Sequence, residues 1–492
     1  MLASVVVLVW ALAAAAVVRA ADWQFRLVAG SGLPATGLTF GGTWADLDGD
    51  GDWDLVLSRH ADGVAEFYLG QGDLRFRGPT AADLPAGLLD HHGTAACDFD
   101  GDGDWDLFLS VGAERGHGNC CKQLWTNRGG LVFAAGIPCD QPAADPAGRG
   151  RGALWLRLDP APLPQLLLLN YLSPPRLFGR DAAGTWLDLG GRLDRPAEAW
   201  WTVAVAEDFD GDGAVDLFVA GGERRVLRNI AGRLVGQEIA ALPLIGAEVS
   251  AAAAGDVDGD GDPDLVLGLR GGALWLLRNE SGPGEIRFGQ VVGYPSLPLV
   301  SEPVSVVLAD LDNDGRLDLA VAQRGADRQE RRPLLARGAG DGTFTALEPD
   351  LVGLVAVPSR AMGLWALDLD RDGDLDLVVT NGEEGDQRTV GAVQVYENLA
   401  DTPGLTVELQ ARPGAAPHGL GALVSLGPGE GVRSLRVRSV ANPWNATVLP
   451  VHFGLGTDDV TREVRVDWPC GAHGVTRPAS SAGAVRVLQE GR

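Results

Sequence analysis

The sequence predicts an all-β fold, a seven-bladed β-propeller followed by a small C-terminal β domain. Three observations carry that prediction. An Asp-rich nine-residue motif recurs about every fifty residues. Short apolar runs with strand character flank each copy. The motif stops near residue 400, where a unit of different pattern begins. Repetition at this period marks an architecture in which one supersecondary unit is copied around an axis or along a stack.

The first copy reads Asp46-Leu47-Asp48-Gly49-Asp50-Gly51-Asp52-Trp53-Asp54. In the second, Asp98, Asp100, Asp102, Asp104 and Asp106 fill the odd positions. Later copies place Asp208, Asp210, Asp212, Ala214 and Asp216 there, then Asp256, Asp258, Asp260, Asp262 and Asp264. The last two hold Asp310, Asp312, Asp314, Arg316 and Asp318, and Asp368, Asp370, Asp372, Asp374 and Asp376. A degenerate copy lies between the second and these later ones. It begins at Arg157, keeps Asp159 and ends at Gln165. First positions fall 52, 59, 51, 48, 54 and 58 residues apart. Seven units of that length suit blades of four strands each.

The flanks supply the strands. A small or β-branched run precedes each loop, as in Trp201-Thr202-Val203-Ala204-Val205-Ala206. Leu-Val-Leu or a similar triplet follows it. A third segment ends in a turn at Asn229, Asn279 or Asn398. A fourth is read at Leu74–Arg77 and Glu285–Phe288. No fourth segment follows Val395 in the last unit. The N-terminal Trp23-Gln24-Phe25-Arg26-Leu27-Val28 is expected to supply it, closing the ring and removing the open edges.

The loops carry the chemistry. Calcium takes six to eight hard oxygen ligands in flexible geometry. Positions 1, 3, 5 and 9 offer carboxylates, and position 7 can offer its backbone carbonyl. Its variation among Asp52, Ala214 and Arg316 is expected if only that carbonyl is used. Glycine at position 6 permits the sharp bend. Four carboxylates in nine residues repel one another without a cation. About six calcium ions are therefore expected, with none at the degenerate loop. An EF-hand needs a Glu at position 12 and flanking helices. Here Leu57, Leu109, Val219, Leu267, Val321 or Val379 stands at that position, inside an apolar run.

Composition bounds the rest. The chain has 492 residues and a net charge of -26, concentrated in the Asp clusters. Lys122 is the single lysine, and no basic stripe interleaved with aromatics suggests a nucleic-acid partner. Residues 1–20 read as a signal peptide cleaved after Ala20, with an uncleaved membrane anchor as the alternative. No later segment is long and apolar enough to span a bilayer. Four of the five cysteines, Cys97, Cys120, Cys121 and Cys139, are close in sequence and suggest two local disulfides, leaving Cys470 over. Asn279-Glu280-Ser281 and Asn445-Ala446-Thr447 are glycosylation sequons.

The loops resemble the FG-GAP or VCBS repeats of integrin α-type propellers, over roughly Asp22 to Ala400. That resemblance implies structural ions between the first and second strands of each blade, with ligands bound elsewhere on the ring. Residues 401–492 carry His452-Phe453-Gly454-Leu455-Gly456 and then Val464-Arg465-Val466-Asp467-Trp468-Pro469-Cys470-Gly471. These resemble the ASPIC/UnbV domain, read here as a turn followed by a strand segment. The pairing of the two parts, 21–400 and 401–492, resembles the cartilage acidic protein family.

No G-x-S-x-G, H-E-x-x-H or P-loop motif occurs. His91-His92, just before the second loop, could face the propeller axis but reads first as a turn or surface pair. The sequence therefore favours a secreted, non-enzymatic binding or adhesion protein with an extracellular protein or glycan ligand. An enzyme acting on polysaccharide, or an UnbV-like accessory protein of natural-product biosynthesis, are the alternatives.

Overall fold

The computed structural model describes residues 23–488 apart from 36–38, 60–64, 81–90, 112–120, 135–136, 139, 159–162, 182, 240–245, 295, 300, 325–329, 359–360, 383–390, 411–416, 428–432, 443–444, 457–462, 470–472 and 477–482. The expected signal segment, Asp159, Cys120, Cys139 and Cys470 lie outside the described residues. No described helix is long and apolar enough to cross a membrane.

Among the described residues, seven antiparallel units of four strands follow one another. Unit 1 runs through Thr39–Ala45, Asp54–Arg59, Glu66–Gly70 and Phe76–Thr80. The inner strands of units 2 to 7 are His91–Cys97, Gly150–Leu156, Trp201–Glu207, Val249–Gly255, Glu302–Ala309 and Gly363–Leu367. Each inner strand lies beside the next, and Gly363–Leu367 lies beside Thr39–Ala45, so the contacts close into a ring. Small residues such as Ala251–Ala254 suit these strands, because seven of them converge on one axis. In units 1 to 6 the inner strand also slips register near its start. Such bulges add local twist.

Unit 7 is completed from the other end of the chain. Phe25 pairs with Asn398 and Leu27 with Tyr396. This is the closing strand that the N-terminal sequence calls for. Outer strands begin later than the sequence suggests, at Phe76 in unit 1 and Phe288 in unit 5.

Between units, one polar device recurs. An asparagine at the last or next-to-last position of the third strand donates its side-chain amide to a carbonyl of the preceding unit's loop. Asn127 reaches Leu47, Asn229 reaches Leu158, Asn279 reaches Phe209 and Asn398 reaches Leu311, at 2.8–2.9 Å. The Arg180 guanidinium serves Phe99 in the same way at 3.1 Å, and the Gly342 amide serves Val257 at 2.9 Å. The accepting residue is always the second of its loop. Because Asn279 is buried and bonded in this way, its sequon is a structural feature of the fold.

The C-terminal unit is not a separate bead. One sheet joins Val451–Gly454, Gly404–Gln410 and Gly483–Leu488, and another joins Arg433–Arg436, Leu423–Leu426, Val464–Asp467 and His473–Thr476. Between these strands a hairpin, Ser439–Asn442 with Asn445–Val448, leaves the unit and adds to the sheet of unit 2. Asn445 and Ala446 pair in parallel with Thr94 and Ala95. Thr43 Oγ1 donates to the Ala446 carbonyl at 2.6 Å, and the Trp44 amide donates to Thr447 Oγ1 at 3.2 Å. The hairpin also lies against the inner strands of units 1, 3, 4 and 6, so it occupies the ring axis. One apolar core runs from units 1 to 4 into the C-terminal unit, from Leu154 and Trp201 to Val407 and Trp468.

Three sequence expectations change. His91 and His92 are not a surface pair. They open the inner strand of unit 2 and are 0% and 3% exposed. Cys97 is a free thiol in the core, at the loop end of the same strand, whereas Cys121 is disulfide-bonded. The expected pair of local disulfides is therefore not formed. His452–Gly454 is a strand rather than a turn, held by antiparallel pairing with Gly404–Thr406.

Asn229→Ala should destabilise the protein by about 1–3 kcal/mol, because it strands the buried Leu158 carbonyl and the Gly232 amide. The denaturant midpoint should fall with the slope unchanged.

Candidate metal centres

Each Asp-rich loop joins the first strand of its unit to the second, and its ninth residue is the first residue of the second strand. The loop's own backbone shapes it. The position-7 amide donates to the position-5 carboxylate in all six loops, at 2.9–3.0 Å. The position-6 amide reaches back to the position-1 carboxylate at 2.9–3.0 Å in the loops starting at Asp98, Asp208, Asp256 and Asp310. Position 6 is glycine throughout, with φ between 91° and 105°, a region other residues rarely enter. Position 4 is left-handed as well, which the sequence reading did not anticipate. Four loops place glycine there, but two place Asn313 (φ 58°) and Arg371 (φ 63°).

The ninth residue does more than offer a ligand. Asp54, Asp106, Asp216, Asp264, Asp318 and Asp376 are at most 1% exposed. One oxygen of each accepts the position-2 amide of its own loop at 2.7–3.2 Å. The other accepts an amide from the end of the third strand at 2.7–2.9 Å. In four units that amide belongs to the asparagine that bridges to the preceding unit. Its recurrence at 127, 229, 279 and 398 was the available sequence signal.

The degenerate loop separates the two roles. Gln165 stands at position 9 there, and its Oε1 accepts the Leu158 amide at 2.8 Å. A neutral amide therefore keeps the backbone contact after the carboxylate is lost.

The loop carboxylates converge, with the position-9 residue among them in the loops starting at Asp98, Asp208 and Asp310. In the loops starting at Asp46, Asp98, Asp208, Asp256 and Asp310, three carboxylates bring one oxygen each within 4.8 Å of one another. All six loops also hold a buried oxygen that meets no donor. It is Oδ1 of Asp46, Asp208, Asp310 and Asp368 at position 1, and of Asp100, Asp258 and Asp370 at position 3. An unpartnered buried acceptor is costly, and several facing one another are more so. A hard divalent cation is the partner that fits such an all-oxygen set. Third-strand arginines take the outward oxygens. Arg228 pairs with Asp210 at 2.5 Å, Arg278 with Asp258 at 2.7 Å and Arg337 with Asp312 at 2.8 Å.

Burial dominates the electrostatics. It pushes the carboxyls of Asp98, Asp310 and Asp368 up to about 7, with neighbouring aspartates adding to the rise and backbone amides opposing it. At position 9 it pushes Asp54 up to about 8 and Asp106 to about 9, and it raises Asp318 and Asp376 well above the usual carboxylate range.

A family model described as an FG-GAP-like repeat matches residues 46–109, 208–267 and 256–321. Cartilage acidic protein 1 of Homo sapiens is 28% identical over 238 residues, which is 48% of this chain and 35% of that protein. The Xenopus tropicalis protein is 28% identical over 223 residues, 44% of this chain and 33% of that one. The chain carries FG-GAP-like repeats on its propeller loops and, over about half its length, resembles cartilage acidic protein 1. Its matched part spans about a third of the length of those relatives. Among solved structures, the WD40 β-propeller domain of Doa1 is 12% identical with a TM-score of 0.45, covering 76% of this chain and 97% of that one. Saccharomyces cerevisiae Sqt1 is 11% identical with a TM-score of 0.43, covering 93% and 98%.

A carboxyl raised by folding binds its proton more tightly in the folded state. Its contribution to stability is complete below the unfolded value near 4 and is lost as pH rises through the folded one. The metal-stripped propeller should therefore lose thermal stability steadily from about pH 5 to pH 9. Divalent cation should abolish most of that slope and release protons on binding. Thermal melts of stripped and loaded protein at several pH values check both.

Proposed function

We propose that this protein is a secreted, calcium-stapled propeller that binds an extracellular protein or glycan rather than catalysing a reaction. The observation that carries the metal half is the buried, donorless carboxylate oxygen present in every intact loop. Calcium would be held by positions 1, 3, 5 and 9, with the position-7 carbonyl completing the set. It would supply charge neutralisation at the junction of the first and second strands, about six times around the ring. The oxygen-rich, multi-carboxylate donor set favours calcium over magnesium, which retains more of its water.

The binding half rests on which face is free. The C-terminal unit sits over the loop face, and its hairpin fills the axis. Recognition is assigned to the opposite face. Residues just before an inner strand, or just after a second strand, lie on that face. Arg149, Tyr171 and Trp200 are such residues. Tyr171 meets Trp200 edge-on at 5.1 Å, and the guanidinium of Arg149 lies 5.1 Å from its ring centre. Leu172 beside them is 62% exposed. An aromatic and cationic cluster in so acidic a protein suits an anionic glycan or an acidic protein segment.

Two experiments test the reading. Native mass spectrometry should count about six calcium ions, and chelation should lower the melting temperature by mass action. Asp210→Ala should lose one ion. Gln165→Ala should lose none, while costing about 1–3 kcal/mol through the stranded Leu158 amide. Equal ion loss from both would sink the division of roles. On glycan and protein arrays, Tyr171→Ala with Trp200→Ala should abolish the strongest calcium-independent signal while leaving the ion count unchanged.

A further inference from the structure

The C-terminal unit does not rest on neutral surface. It is bolted to the loops themselves. The Gly454 amide donates to Asp310 Oδ2 at 3.0 Å, and Asp310 Oδ1, buried on the other side of that carboxylate, has no donor. The Gly456 amide donates to the Asn313 carbonyl at 2.8 Å. Arg436 donates to Asp208 Oδ2 at 3.1 Å, again leaving Oδ1 without a donor. His418 stacks flat on Trp105, the eighth residue of the second loop, at 3.5 Å between ring centres.

The two loops that break the glycine rule at position 4 are the ones with side chains there in the interface. Asn313 donates to the Thr402 carbonyl at 2.8 Å and to Asp374 of the neighbouring loop at 2.7 Å, and its oxygen meets His452 Nε2 at 2.7 Å. Arg371 pairs with Glu408 at 3.1 Å and donates to the Gly51 carbonyl of the first loop. A left-handed backbone is strained for both residues. The side chains therefore bring a contact that glycine, present at the same position in the other four loops, cannot make. Gly454 is constrained from the other side, because a Cβ there would collide with the Asp310 carboxylate and the Asn313 backbone.

We infer that docking of the C-terminal unit and cation occupancy of the loops starting at Asp208, Asp310 and Asp368 are coupled, each strengthening the other. The docked unit fixes the outward oxygens of Asp310 and Asp208. It also holds the backbone of the Asp310 loop in its bent form, so the free inward oxygens are positioned before a cation arrives. A cation in turn holds the loop in the shape that Gly454, Gly456 and Thr402 recognise. Without the cation the facing carboxylates repel, and the loop loses that shape. The motif His452-Phe453-Gly454-Leu455-Gly456 acquires a role by this account: it is the strand end that grips a cation loop. The inference rests on the calcium reading above, and its test separates the two.

The test is hydrogen exchange of the full-length protein, with calcium chloride and after chelation, alongside an ion count by native mass spectrometry. The loop at 256–264 serves as the internal reference. Chelation should speed exchange about tenfold or more at 404–410 and 445–454 as well as at 256–264. Asn313→Gly, which restores the residue used at four other loops, should speed exchange at 404–410 and 451–454 in calcium. It should keep the full ion count at saturation and weaken one ion's affinity by about tenfold, since coupling is reciprocal. If ions bind and 256–264 responds to chelation while 404–410 and 445–454 do not, the coupling is wrong and the calcium reading stands. If no ions bind, both fall.

Discussion

Asp54, Asp106, Asp216, Asp264, Asp318 and Asp376 each clasp two backbone amides, one from their own loop and one from the end of the third strand. Around that clasp the rest of the ring is arranged. It fixes where the first and second strands of a unit meet and where the third one ends. In four units it also holds the amide of the asparagine whose side chain reaches into the preceding loop. A bend in one loop is thereby tied through two hydrogen bonds to the next. Charge-assisted bonds from amide to carboxylate are among the stronger ones available to a buried backbone.

The clasp and the proposed cation draw on one residue for different reasons. Gln165 shows that the backbone contact needs only an acceptor oxygen. A carboxylate adds a charge that burial opposes, and in six loops three or more further acids stand beside it. The fold tolerates that charge in two ways visible in the structure. Arginines of the third strands and of the C-terminal unit take outward oxygens. The inward oxygens are left without donors, as a cation site requires. The net negative charge of the chain is thus a property of the loops rather than of its surface at large.

Much of the fold was legible because it is periodic. The repeat placed every loop, and the missing fourth segment after Val395 pointed to Phe25–Leu27 as the closing strand. What stayed hidden is what periodicity does not encode. Asp at position 9 looks the same whether it binds metal, backbone or both, and only its buried position and two amide partners reveal the clasp. Asn313 and Arg371 carried no signal in the repeat, yet each stands in a left-handed backbone and makes a contact with a distant unit. The hairpin at 439–448 gave no local sign that it leaves its own unit, since its partner strand lies far earlier in the chain. His91-His92 followed the same logic: a polar pair reads as surface until its strand is packed between the inner strands of units 1 and 3.

The central claim is that six loops are cation sites and the seventh is only a backbone joint. Anomalous diffraction from crystals grown in calcium tests it most directly. The account predicts a peak in each of the six loops, within about 2.3–2.6 Å of carboxylate oxygens at positions 1, 3, 5 and 9, and no peak beside Leu158 and Gln165. Loops filled by water or by arginine side chains, with no anomalous signal at the donorless oxygens of Asp46, Asp208, Asp310 and Asp368, would contradict it.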